Sequence, residues 1–290
     1  MAGLNAYLSL VKFSHTVFAL PFAAIGFTIG LHSGAGYPLD LRLLVLVGLC
    51  MVTARNAAMA FNRWADRLID IKNPRTTGRE IPSGRISARN ALIFTAINAA
   101  VFLVSAYQIN FVCFVLAPLA LAIVLGYSYT KRFSWLCHLF LGLGLSLAPV
   151  GAFLAVHGSL EWLPVLYAIA VVSWVAGFDI IYALQDIDFD KSQQLQSIPA
   201  RFGMKRALWI SGILHTLCAL AILWAAWLLH RDYGLNDGIY IGSILFIVLL
   251  AFQHFVIGRG DLSKVNMAFF TTNGMASIAL AAAVILDFYC

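Results

Sequence analysis

The residues able to do chemistry in this chain are few and clustered. Thirteen acidic residues occur in 290, and six of them fall in two short segments. The first segment reads Asn62-Arg63-Trp64-Ala65-Asp66-Arg67-Leu68-Ile69-Asp70, or N-x-x-x-D-x-x-x-D. At about 100° per residue, Asn62, Asp66 and Asp70 share one helix face. Arg55, seven residues before Asn62, continues the same stripe. The second segment runs from Asp179 through Tyr182, Asp186 and Asp188 to Asp190. On a continuous helix Asp179, Tyr182, Asp186 and Asp190 lie together and Asp188 points away.

Carboxylates one turn apart repel, and an acid at the centre of a bilayer costs about 2.5–3.5 kcal/mol on insertion scales. Such ladders call for bound cations. Ligation by oxygen alone suits a hard ion such as Mg²⁺, which commonly joins one or two carboxylates to the phosphate oxygens of a substrate. Two facing ladders among arginines and lysines would make a site for a diphosphate. Tyr127-x-x-x-Lys131 adds a phenol and an ammonium one helical turn apart, able to reach the same anion.

Other readings of these residues are weaker. Asp186-x-Asp188-x-Asp190 opens like a calcium loop, but Lys191 and Ser197 stand where that loop needs Gly and Glu. Solvated helix ends would explain one ladder better than they explain two. The five cysteines are scattered and form no zinc pattern. His15, His138, His215 and His254 read as helix-packing groups.

The elements that must carry these residues follow from composition. The chain is 61% hydrophobic and 11% charged, against roughly 45–50% and about 25% in soluble domains. With a mean hydropathy of +0.87, disorder and a conventional soluble enzyme are both excluded. Nine windows are long and apolar enough to cross a bilayer as helices: 13–32, 41–61, 89–108, 111–129, 137–157, 162–183, 206–229, 238–258 and 267–289. The first exceeds a signal-peptide core and reads as a retained span. The expected fold is therefore an all-α polytopic membrane protein: nine transmembrane helices around a central cavity open to the cytoplasmic side.

Sixteen of the nineteen basic residues fall in the loops on one side of this plan, and only Arg42 and Arg231 in those opposite. That bias predicts a cytoplasmic N-terminus, a C-terminus outside and an inner-membrane location. It also accounts for the net charge of +6 without nucleic acid, and no obligate protein partner is evident. The loops Glu80-Ile81-Pro82-Ser83-Gly84-Arg85 and Ser197-Ile198-Pro199-Ala200-Arg201-Phe202-Gly203 echo one another after each ladder. They suggest one transmembrane domain over 1–290, built from related four-helix units at 13–129 and 137–258 plus a ninth helix at 267–289. The loops would cap the ladders on the cytoplasmic side.

Taken together, the Asn62-Asp66-Asp70 and Asp179…Asp186-x-x-x-Asp190 ladders, Tyr127-x-x-x-Lys131 and the Ile81-Pro82-Ser83-Gly84 loop resemble the UbiA-type intramembrane prenyltransferases. The stretch Ala57–Arg63 and the segment Ser197–Gly203 are most similar to the bacterial 4-hydroxybenzoate polyprenyltransferases. Haem-farnesylating relatives match the first motif but not the second. The resemblance implies Mg²⁺-dependent transfer of a polyprenyl group from a polyprenyl diphosphate to an aromatic hydroxy acid for respiratory quinone synthesis. A dihydroxynaphthoate acceptor, for menaquinone, is the alternative. It assigns Asn62, Asp66, Asp70, Asp186 and Asp190 to the metal, the four aspartates being catalytic. Arg63, Lys131, Tyr127, Lys72 and Arg201 are assigned to the diphosphate, and Arg55, Asp179 and Tyr182 to the acceptor. The prenyl tail would lie in the lipid bilayer. An ion-coupled secondary transporter is the rival of another class, since acids in spans often mark ion paths.

Overall fold

A chain this apolar must satisfy its backbone hydrogen bonds internally, which helices do within one segment. The computed structural model describes residues 3–11, 19–34, 36–257, 265 and 271–290, and every regular element among them is helical. In chain order these are α1 (Leu4–Leu10), α2 (Leu20–His32), α3 (Leu41–Ala65), α4 (Arg67–Asp70), α5 (Ala88–Ile109) and α6 (Phe111–Thr130). Then follow α7 (Cys137–His157), α8 (Trp162–Ala183), α9 (Ile187–Ser192), α10 (Ile198–Tyr233), α11 (Gly238–Ile257) and α12 (Asn273–Tyr289).

Among the described residues, seven helices are long and apolar enough to span a membrane: α3, α5, α6, α7, α8 with its continuation to Ser192, α10 and α11. The first and ninth apolar windows are described only in part. They are described as helices of 13 and 17 residues, α2 and α12, and parts of both windows lie outside the described residues. Large apolar side chains such as Phe111, Trp209 and Ile241 point outward from the long helices. A membrane covers that surface; water would not.

The chain divides into two compact units. One comprises residues 1–16 and 39–129, the other 17–38 and 130–290. The apolar window at 13–32 therefore packs, through α2, in the second unit, although its place in the chain precedes the first. In the first unit α3 and α5 lie side by side over buried alanines (Ala57, Ala60, Ala91), and Asn56 donates to Asn98 across them at 3.2 Å. The short α1 folds back so that Leu10 joins Ala60, Ile86 and Ala91.

In the second unit α7, α8 and α10 surround a core that includes Phe22, Phe153, Trp174 and Phe246. Gly26 of α2 lies directly against α7: a Cβ there would sit 2.1 Å from the Pro149 carbonyl oxygen. Such backbone approach through small residues is how helices associate without water to drive them together. Polar groups in this core are paired. Trp174 Nε1 and Gln253 Nε2 both donate to Asn273 Oδ1, at 2.9 and 2.6 Å. His215 and His254 bind each other at 2.8 Å, as packing groups should. His15 lies outside the described residues.

Candidate functional site

The two carboxylate segments belong to different units and are described separately. In the first, α3 ends at Ala65 and the short α4 begins at Arg67, yet Asp66 N still bonds to Asn62 O at 2.9 Å and Asp70 N to Asp66 O at 2.8 Å. The i to i+4 ladder runs through the break, so Asn62, Asp66 and Asp70 keep the common face that their spacing predicts. Asn62 Nδ2 donates to Asp66 Oδ2 at 3.4 Å. Asp66 and Asp70 are buried, with 2% and 4% of their surface exposed.

Asp70 Oδ1 accepts from Arg79 at 2.8 Å, while its Oδ2 is buried with no hydrogen-bond partner. Arg63 is buried too, and its Nε is likewise unpartnered. Asp70, Glu80, Arg79 and Tyr127 all lie close enough to act electrostatically on Arg63. A buried charged group left unsatisfied costs more than the roughly 1–3 kcal/mol of a neutral one. Both atoms lie in one neighbourhood, and each calls for a partner from outside the chain. Arg55 sits half-buried higher on α3, within electrostatic range of Tyr127. Lys72 is exposed.

The loop from Ile71 to Ser87 is wound into turns that bring side chains back to this group. Thr76 Oγ1 donates to Asp70 O at 3.0 Å, and Ile86 N to Glu80 O at 2.9 Å. Glu80, 4% exposed, accepts from Ser9 of α1 and from Arg85 at 3.4 Å. Arg79 and Glu80 are thus members of the first cluster that the spacing of the ladder does not reveal. The signal available for Glu80 is its rarity, as one of thirteen acids placed beside a Pro-Ser-Gly turn.

In the second unit the expected continuous helix is interrupted. α8 ends at Ala183, a 3₁₀ turn covers Leu184–Asp186, and α9 follows. A 3₁₀ turn winds at about 120° per residue, so Asp179 and Tyr182 no longer share the register of Asp186 and Asp190. Their partners differ accordingly. Asp190 Oδ2 accepts from Ser197 at 2.9 Å and has Asp186, Lys131 and His138 as charged or titratable neighbours. Asp179 Oδ2 instead meets His138 Nδ1 at 2.7 Å. Asp188 is exposed, as its position on the helix predicts.

Lys131 is held here by its backbone, whose carbonyl accepts from Gln196 N at 2.7 Å. Ser197, the N-cap of α10, accepts from Ala200 N at 3.2 Å while donating to Asp190, so one hydroxyl fixes both the helix start and the carboxylate. Arg201 is exposed and lies 5.3 Å from the Trp135 ring centroid. The structure therefore brings Asp186, Asp190 and Lys131 together in one cluster and Asn62, Asp66, Asp70 and Arg63 in the other. Tyr127 falls with the first and Lys131 with the second.

All the donors in these clusters except His138 are oxygens or cationic nitrogens, the set expected around a hard metal and a phosphate. Among the described residues no three His, Cys, Asp or Glu side chains form a self-contained metal site. An ion held by one or two carboxylates and completed by ligand or water oxygens needs none. The unpartnered Asp70 Oδ2 is the atom on which such an ion fits.

The chain is similar to known proteins over most of its length. The sequence profile of the UbiA prenyltransferase family matches residues 19–275. A 4-hydroxybenzoate octaprenyltransferase of Idiomarina loihiensis is 32% identical over 238 residues, 82% of each chain. The apo structure of a UbiA homologue from Aeropyrum pernix superposes with a TM-score of 0.83 at 34% identity, covering 94% of this chain and 98% of that one. A UbiA homologue from Archaeoglobus fulgidus, solved with GPP and Mg²⁺, shares the fold with a TM-score of 0.73 at 24% identity, covering 98% and 100%.

Proposed function

The chain belongs to the UbiA prenyltransferase family, and from that membership we propose that it transfers a polyprenyl group from a polyprenyl diphosphate to an aromatic hydroxy acid of the 4-hydroxybenzoate type. The reaction is Mg²⁺-dependent, takes place in the inner membrane and serves respiratory quinone synthesis. In this reading Asn62, Asp66 and Asp70 hold metal through their oxygens, and so do Asp186 and Asp190. A Mg²⁺ ion held by these residues would supply positive charge against that developing on the leaving diphosphate.

The residues of the chain do the rest. Arg63, Lys131 and Tyr127 bind the diphosphate, with Lys72 and Arg201 as further cations. Arg55 takes the acceptor's carboxylate, and Asp179 with Tyr182 takes its hydroxyl end. The allylic C–O bond breaks, its electron pair leaving with diphosphate. The prenyl carbon then bonds to the ring carbon ortho to the hydroxyl, and the ring proton is lost. The prenyl tail stays in lipid, which is why the chemistry is done by a membrane protein.

The observation that carries this reading is the pair Asp70 and Arg63, opposite charges buried near each other and each left with an unpartnered polar atom. A metal diphosphate supplies a cation to one and an anion to the other. The test is full-length purified protein with Mg²⁺, a polyprenyl diphosphate and a panel of acceptors. Prenylated 4-hydroxybenzoate with matching diphosphate release is expected. Prenylation of a dihydroxynaphthoate alone would move the function to menaquinone, and solute uptake in liposomes with no prenylated product would favour a carrier.

A further inference from the structure

We propose that His138 is a positioning residue for the acceptor's carboxylate partner: it fixes Asp179 in one orientation so that the remaining oxygen of Asp179 is presented to the acceptor's hydroxyl. This rests on the prenyl-transfer reading and assigns a function to a residue that the sequence marks only as helix packing.

His138 is the second residue of α7, and its side chain is 3% exposed against 23% for Asp179. The imidazole thus lies behind a carboxylate whose other side stays open. Its two nitrogens are distinguished by their partners. Ile198 N–H donates to Nε2 at 3.4 Å, which makes Nε2 an acceptor. With Nε2 accepting, Nδ1 carries the N–H directed at Asp179 Oδ2 at 2.7 Å. A backbone amide therefore selects the tautomer, and the ring's only N–H goes to the carboxylate. With Oδ2 so engaged, Asp179 Oδ1 remains to accept from the acceptor's O–H.

Helix packing alone does not ask for this pair. α7 and α8 already meet over their length through Gly142, where a Cβ would stand 2.6 Å from the Val172 carbonyl oxygen. Ionisable groups within spans are costly and belong where they are used. The second contact of His138 also matters. Ile198 follows Ser197, whose hydroxyl holds Asp190. One imidazole thereby sets the acid assigned to the acceptor in register with an acid assigned to the donor. Alignment of two reactants is sensitive to displacements of an ångström.

The test compares three variants of the full-length protein. His138→Ala is expected to lower kcat roughly 100-fold, the scale of a positioned proton-accepting group, with KM for the prenyl diphosphate unchanged. His138→Asn puts an amide N–H where Nδ1 stood and is expected to recover most of kcat. His138→Gln reaches the place of Nε2, does not donate to Asp179, and is expected to stay impaired. Wild-type kcat in His138→Ala would overturn the proposal, as would equal rescue by Gln and Asn or a rise in donor KM that accounts for the loss. If His138→Ala does not fold, the contrast between Asn and Gln decides. Failure of the parent reading is distinguishable, because the wild-type protein would then prenylate no phenol at all.

Discussion

Gly177, two residues before Asp179, has its missing side chain's place taken by an imidazole. A Cβ at this position would stand 2.3 Å from His215 Cδ2 and 2.4 Å from Nε2, and Ser211 donates to the Gly177 carbonyl at 2.8 Å. Gly177→Ala is expected to destabilise the protein by about 1–3 kcal/mol through overpacking, seen as a lower Tm in detergent. Gly177→Ala with His215→Ala should recover part of that loss, and an unchanged Tm in the single variant would show that the contact is loose. At this scale the sequence was legible wherever spacing within one segment decides the outcome. Asn62, Asp66 and Asp70 share a face because i to i+4 hydrogen bonds carry the register across the break between α3 and α4. Glu80 and His138 were not legible, because what makes them special is a partner from another element: Ser9 of α1 for Glu80, Asp179 of α8 and the Ile198 amide for His138.

The elements show the same division. Apolar length predicts α3, α5, α6, α7 and α11 within a few residues, since nothing but a helix satisfies a backbone in lipid. Hydrophobicity carries no information on the 3₁₀ turn at Leu184–Asp186, which parts Asp179 from the lower acids. Nor does chain order show that α2 packs against α7 in the second unit. The two Ile-Pro segments each hold a glycine of positive φ, Gly84 at 75° and Gly203 at 76°, at different distances from the proline. Gly203 is where α10 kinks, six residues after Ser197 caps it and binds Asp190. An alanine in that conformation costs about 1–3 kcal/mol. Gly203→Ala is therefore expected to loosen the Ser197 cap and raise KM for the prenyl diphosphate several-fold, with KM for the acceptor unchanged. The reverse pattern would separate the kink from the donor end of the cluster.

For the whole molecule, composition alone gives a helical membrane protein, and the distribution of cations gives an expected orientation. The proposed function is more specific: it takes the carboxylates of each unit as ligand atoms rather than solvated helix ends. Asp70 and Asp186 represent the two units, and asparagine keeps the shape of each while removing its charge. Diphosphate release by the full-length protein should require Mg²⁺, stop on chelation and return when the ion is restored. Asp70→Asn and Asp186→Asn, each extracted from membranes in wild-type yield, should both lose at least about 100-fold in turnover. Wild-type turnover in either variant, or turnover untouched by chelation, would contradict the account.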